Sequence, residues 1–141
     1  MHSQNSMKLY IPSLSVNEAL ARQVVASFVA QLNPTIEEIS DIKCAVSEAV
    51  TNAIVHGYRF TEGIVYIGVK YYYDRTVVIE IKDKGCGIED VNKAMTPLFT
   101  TDTTGERSGM GFAVMQTFMD KLDVKSKRGQ GVRILMTKKL S

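Results

Sequence analysis

Tryptophan is absent, and cysteine and proline are scarce: two and three residues in 141. The two cysteines, Cys44 and Cys86, form no CxxC pair and sit in no histidine cluster. That excludes a zinc site or disulfide framework read from spacing, and reduced thiols in a cytoplasmic protein are the expectation. No secretory leader is read, and no apolar run reaches the ~18 residues needed to span a bilayer. Charge of one sign is lacking too. Lys plus Arg is 17 against 15 Asp plus Glu, a net of +2, so no electrostatic footprint for nucleic acid is present. What remains is an ordinary globular composition, 45% hydrophobic and 23% charged. The length suits one domain that buries its core without a disulfide or metal. Residues 7–141 are taken as that domain, and 1–6, ahead of Met7, as an extension or appended tail.

Lys8–Pro12 reads as a short strand. Val16–Leu32 reads as a helix with Leu20, Val24, Phe28 and Leu32 every four residues and Val25 and Val29 widening the stripe. Ser15 is its expected N-cap, with Glu18 completing a capping box. Asn33-Pro34 breaks it. Thr35 caps a second helix that runs to about His56, with Glu37 and Glu38 at the positive dipole end and Gly57 as the stop. Ile64–Tyr73 and Thr76–Asp83 form a hairpin around Asp74-Arg75. Ile88–Met95 reads as a short helix. Thr96–Gly109, which holds five threonines, reads as a long lid-like loop. Gly111–Lys121 is a helix, and Leu122–Lys127 with Val132–Lys139 closes the chain as a hairpin. Hairpins with helices gathered on one face make a two-layer α/β sandwich on a mixed, mostly antiparallel sheet.

The second helix carries the first chemical signal. At 100° per residue Ile39, Ile42, Val46, Ala49, Val50 and Ala53 form its apolar face. Glu48, Asn52 and His56 make a polar stripe elsewhere, so a carboxylate and an amide one turn apart point at one ligand. A solvated face is the plainer account of such a pair, but this one lies in an Ala- and Val-rich stretch. Asp83-x-Gly85-x-Gly87 follows a strand end. Its glycines admit a flat ligand to the backbone, and its carboxylate can accept from an exocyclic amine, although DxGxG alone is ordinary turn chemistry. Gly105-Glu106-Arg107-Ser108-Gly109-Met110-Gly111 opens a helix, whose N-terminus suits phosphate; Arg107 can add a charge-assisted bond to a terminal phosphate. This is neither a dinucleotide fingerprint nor a P-loop.

The three signals in this order are specific. Ser47-Glu48-Ala49-Val50-Thr51-Asn52-Ala53-Ile54-Val55-His56-Gly57-Tyr58 resembles the N box of the GHKL ATPase superfamily, which includes gyrase, Hsp90, MutL and the histidine kinases. Asp83–Gly87 resembles its first glycine box and Arg107–Phe112 its second. Within the superfamily the chain is most similar to the anti-sigma serine-protein kinases of sporulating bacteria. The shared stretches include Asn17–Arg22, Pro97–Thr101 and Glu106–Phe112. The resemblance covers nearly everything after Met7. It implies the GHKL (Bergerat) ATP-binding fold and a reaction in which ATP phosphorylates a protein serine. Asn52 would ligate Mg²⁺ on the phosphates, and Glu48 would take the proton of the attacking hydroxyl. Asp83 would bond the adenine amine, with Gly85 and Gly87 beside it. Thr100, Thr101, Arg107, Ser108, Gly109 and Gly111 would complete the ATP/ADP site, with Arg107 on the γ-phosphate. Arg22, which the wheel turns outward and away from Leu20, would contact partners. The implied partners are a sporulation sigma factor, a phosphorylatable anti-anti-sigma protein and a second copy in a homodimer, with no direct nucleic-acid or membrane contact. One departure stands out: Val132 replaces a threonine whose hydroxyl helps bind the base.

Two alternatives remain open: a stress-response anti-sigma kinase of the same family, and a non-catalytic, nucleotide-gated sigma-binding module. Glu48 argues against the second, because a module without catalysis need not keep a carboxylate one turn from Asn52. A histidine kinase would need a phosphoacceptor, and the only histidines are His2 and His56. His56 fits a helix-end role better than a chemical one.

Overall fold

A computed structural model describes residues 2–58, 61–85, 111–126 and 129–141. Among the described residues, five strands and three α-helices follow in the order β1 (Asn5–Pro12), α1 (Asn17–Val29), α2 (Ile36–Thr51), β2 (Ile64–Tyr71), β3 (Thr76–Asp83), α3 (Gly111–Phe118), β4 (Lys121–Ser126) and β5 (Val132–Lys139). A 3₁₀ turn, Ala30–Leu32, extends α1, and a π-helical turn, Asn52–Gly57, extends α2. The sheet order is β1-β2-β3-β5-β4, antiparallel in all four described pairings. The expected short helix at 88–95 and loop at 96–109 lie outside the described residues.

The strands alternate. Val65, Ile67 and Val69 of β2, Val77, Ile79 and Ile81 of β3, and Ile134 and Met136 of β5 are buried on one face. They pack with Val25 and Val29 of α1, Ile42, Val46 and Val50 of α2, and Met115 of α3 in one core. The opposite face carries Tyr10, Tyr66, Lys82 and Arg133 in one cross-strand row, with Lys82 Nζ 4.4 Å from the Tyr66 ring centre. This is the expected two-layer sandwich.

Several local expectations change. β1 begins at Asn5, which pairs with Tyr71, so residues 5 and 6 belong to the sheet rather than to a tail. Ser15 does not cap α1. Val16 occupies the N-cap position without a side-chain bond, and the Glu18 carboxylate instead accepts from the Ser47 hydroxyl on α2. The buried line of α1 is Ala21, Val25 and Val29, and Leu20 is 48% exposed. Phe28 and Leu32 still pack against the core beside that line, and the small Ala21 lets α1 approach its neighbours more closely than Leu20 would. α2 starts as expected: Thr35 Oγ1 accepts from the Glu38 N–H at 3.1 Å, and Glu38 Oε1 accepts from the Thr35 N–H at 2.9 Å. Such a cap contributes about 1 kcal/mol. Between β4 and β5 the chain turns at Gly131, whose φ is +86°. A Cβ there would collide with the Asp83 carbonyl oxygen, so only glycine brings β5 this close to the end of β3.

Candidate functional site

Glu48 lies in the last turn of α2 and Asn52 at its C-cap. The Asn52 N–H points back to the carbonyls of both Glu48 and Ala49, the point where four-residue closure gives way to the wider π-turn. Asn52 is 2% exposed and Glu48 is half-buried. Helical spacing therefore holds from Glu48 to Asn52. It does not hold to His56, because the π-turn rotates residue 56 off the α-helical stripe. π-turns of this kind recur at functional sites, and periodicity alone does not show them.

The π-turn delivers Gly57 against Asp83. A Cβ on Gly57 would lie 2.8 Å from Asp83 Oδ1, so the carboxylate packs directly on the glycine backbone. Asp83 is 7% exposed at the end of β3. Its oxygens accept from the backbone N–H of Gly85, at 2.8 Å to Oδ1, and from that of Val132. Burial pushes its pKa up from 3.8 to about 6, and the two N–H bonds only partly oppose that. Gly85 in turn sits so tightly on the Gly57 carbonyl that a Cβ would collide. Val132, the departure from the family pattern, buries its side chain and meets Asp83 through its backbone. Gly111 is the buried first residue of α3, which packs on α2. Gly87, Thr100, Thr101, Arg107, Ser108 and Gly109 lie outside the described residues.

Arg22 does not simply face solvent. Its side chain is 39% exposed, Nη2 lies 3.7 Å from Glu18 Oε2, and Nε is buried without a hydrogen-bond partner among the described residues. Leu20 and Val16 are exposed apolar side chains at that helix end, at 48% and 73%. Glu18 links Arg22 to Ser47, the neighbour of Glu48, a connection that no local spacing announces. A cavity of about 840 Å³ opens on the outer sheet face beside Tyr10, Tyr66, Lys82 and Lys125. Its described lining includes Tyr58, Asp83 and Lys84 but neither Glu48 nor Asn52.

A helix end carrying Glu48 and Asn52, set against a buried strand-end carboxylate between glycines, matches a family at residues 11–138: the histidine kinase-like ATPase domain. The chain belongs to that family, and membership implies a nucleotide site. Its curated relatives are more particular. The anti-sigma F factor of Caldanaerobacter subterraneus subsp. tengcongensis is 57% identical over 98% of this chain and 96% of the relative. That of Clostridium acetobutylicum is 51% identical over the same shares. Among solved structures, the RsbU and RsbW domains of a Mycobacterium tuberculosis protein align with a TM-score of 0.69 at 17% identity, over 97% of this chain and 32% of that one. The catalytic domain of the histidine kinase ThkA aligns at 0.59 and 16% identity, covering 97% of each. At such identities the structures speak for the fold alone. No helix among the described residues is long and apolar enough to cross a membrane.

Proposed function

We propose that this chain is an anti-sigma factor and an ATP-dependent protein serine kinase, which sequesters a sporulation sigma factor and phosphorylates a serine of an anti-anti-sigma protein. The observation that carries the nucleotide half is Asp83. It is a carboxylate buried at a strand end, bonded by two backbone N–H groups and lying flush against Gly57. A group whose burial is this unfavourable fits a ligand that donates to it, and the adenine amine is such a donor. The anti-sigma F factor names of relatives above 50% identity support the rest. In this reading Glu48 takes the serine proton, and Gly85, Gly87, Thr100, Thr101, Arg107, Ser108, Gly109 and Gly111 surround the nucleotide. The homodimer, the cytoplasmic setting and the absence of direct nucleic-acid or membrane contact belong to it as well.

Asn52 suits magnesium by its chemistry. It offers one neutral oxygen, and no cluster of three His, Cys, Asp or Glu side chains occurs among the described residues. Mg²⁺ is ordinarily held by one or two protein oxygens together with substrate phosphates, where it neutralises phosphate charge. Asn52→Ala is expected to nearly abolish Mg-ATP binding in calorimetry, and unchanged affinity would remove Asn52 from the site. Pull-downs with ATP and then ADP test the partner half by naming what is held in each state.

Arg22 is the proposed partner contact. Interface arginines can contribute about 2 kcal/mol or more, close to thirtyfold in affinity. Arg22→Glu is expected to weaken both the sigma-factor and the anti-anti-sigma complexes to that degree, with Mg-ATP affinity unchanged. The Glu18 pair is partly exposed and contributes at most about 1 kcal/mol, and the like charge that Arg22→Glu sets one turn from Glu18 adds a few tenths more, so the melting temperature should fall by several degrees at most. A loss confined to one partner would show that the two do not share this surface.

A further inference from the structure

Tyr58 follows the π-turn, and its N–H closes on the Ala53 carbonyl at 2.9 Å. Its ring lies against Gly63, where a Cβ would collide with the ring carbons. The hydroxyl does something unusual at the end of the β2–β3 ladder. Tyr66 pairs with Lys82, so by register Ile64 stands opposite Lys84 two residues further out. In a continuing antiparallel ladder these two would bond directly. Instead the Lys84 N–H donates to Tyr58 Oη at 2.8 Å, and that hydroxyl donates to the Ile64 carbonyl at 2.7 Å. The phenol uses its donor and one acceptor site as a relay spliced between the strands. Beyond the splice, the chain turns away from β2 and toward the helix end. There Gly85 meets the Gly57 carbonyl and its N–H holds Asp83 Oδ1.

We propose that Tyr58 is a positioning residue for nucleotide selection: its hydroxyl holds the end of β3 off β2 and so fixes the Asp83–Gly85 segment where the carboxylate reads the base. This rests on the nucleotide-site reading above. The residue touches no nucleotide in this scheme; it acts through Lys84 and Asp83. One sequence-distant pair, Ile64 and Lys84, is bridged by a side chain from a third element. The end of the helix that carries Asn52 thereby sets the geometry of the strand that carries Asp83.

Tyr58→Phe separates the hydroxyl from the ring. The ring stays on Gly63 and still keeps the strands apart, while the two released backbone groups lie near solvent, where water can bond them. The melting temperature should therefore change by only a few degrees. The Lys84 amide is expected to exchange about tenfold faster or more, since it loses its acceptor. ADP affinity is expected to fall about tenfold, and the preference for ADP over GDP to narrow with it, because the base contact loosens while phosphate contacts do not. Tyr58→Leu, which loses the ring as well, should be worse in all three measurements. A purely packing role predicts the other pattern: Phe behaves as the wild type and only Leu fails. Wild-type Lys84 exchange in Tyr58→Phe overturns the proposal, as does an unchanged ADP-to-GDP ratio. A wild-type chain that binds no adenine nucleotide would instead sink the site reading, and Lys84 exchange reads the relay without any nucleotide.

Discussion

Glu48→Gln should lose about 10²- to 10⁴-fold in phosphotransfer while Mg-ATP affinity stays within about twofold. That range is the usual contribution of a positioned general base. The substitution keeps the shape and hydrogen-bonding reach of the side chain and removes only its basicity. Glu48 is half-buried in the last turn of α2, and its carbonyl receives the Asn52 N–H, so residues 48 and 52 share one backbone closure. A substrate hydroxyl brought to a phosphate near Asn52 would then be one helical turn from the carboxylate. Phosphoryl transfer can also run largely on positioning and charge neutralisation. Transfer of labelled γ-phosphate to the protein substrate decides between the two: a loss below about tenfold would leave Glu48 a structural residue. No phosphotransfer by the wild-type chain would favour the nucleotide-gated binding module, in which Glu48 has no proton to take.

How much of this was legible in the sequence depended on how local the physics was. The start of α2 was readable because a capping box is complete within four residues, Thr35 to Glu38. The hairpin strands are legible because both are rich in Val, Ile and Tyr and only the short Asp74-Arg75 turn separates them. Most of the α1 stripe is legible: Val25 and Val29 are buried and Phe28 and Leu32 pack against the core, while Leu20 is exposed and Ala21, a small residue that hydrophobicity ranks below it, takes the buried place. Ser15 and Glu18 have the local spacing of a capping box, yet Glu18 is taken by Ser47, 29 residues away. The π-turn hid behind Ala53, Ile54 and Val55, three consecutive apolar residues with no phase to read. Glu48, Asn52, Asp83 and Gly85, the described residues of the proposed site, are legible only as residue types at motif spacing. What spacing does not give is contact: Gly57 meets Asp83 and Tyr58 meets Lys84, each pair 26 residues apart in the chain. Arg22 looked outward on the wheel because the wheel contains no second helix; α2 supplies the hydroxyl that holds Glu18, and Glu18 draws Arg22 inward.

With Asp83 as the proposed acceptor for the base, nucleotide binding and the stability of the empty protein should respond to pH in opposite directions. Its carboxyl titrates near 6 in the folded chain against 3.8 as its ordinary value, chiefly because burial disfavours the charge. A group raised in this way contributes stability that is fully present below 3.8 and lost as pH rises through about 6. The gap corresponds to about 3 kcal/mol between the two ends of that window. The empty protein should therefore gain melting temperature, as far as this group decides it, when pH is lowered from 7.5 toward 5. In the proposed reading binding runs the other way, since an ionised carboxylate accepts from the base amine more strongly than a protonated one. Affinity for Mg-ADP should fall as pH drops below 6, by up to tenfold per pH unit. ADP phosphates titrate in the same range, so the measurement needs a reference in which only Asp83 is silent. Asp83→Asn provides it. At pH 7.5 the variant should bind about 10- to 100-fold more weakly, the contribution of a charge-assisted hydrogen bond. Its remaining pH profile then belongs to the phosphates, and the difference from wild type to the carboxylate. The melting profile of the empty variant should flatten between pH 5 and 7, which an effect on the ligand alone cannot produce. Wild-type affinity in Asp83→Asn at pH 7.5 would remove Asp83 from base recognition. A melting profile that keeps its wild-type slope would mean that burial of this carboxylate does not govern the acid response of the fold.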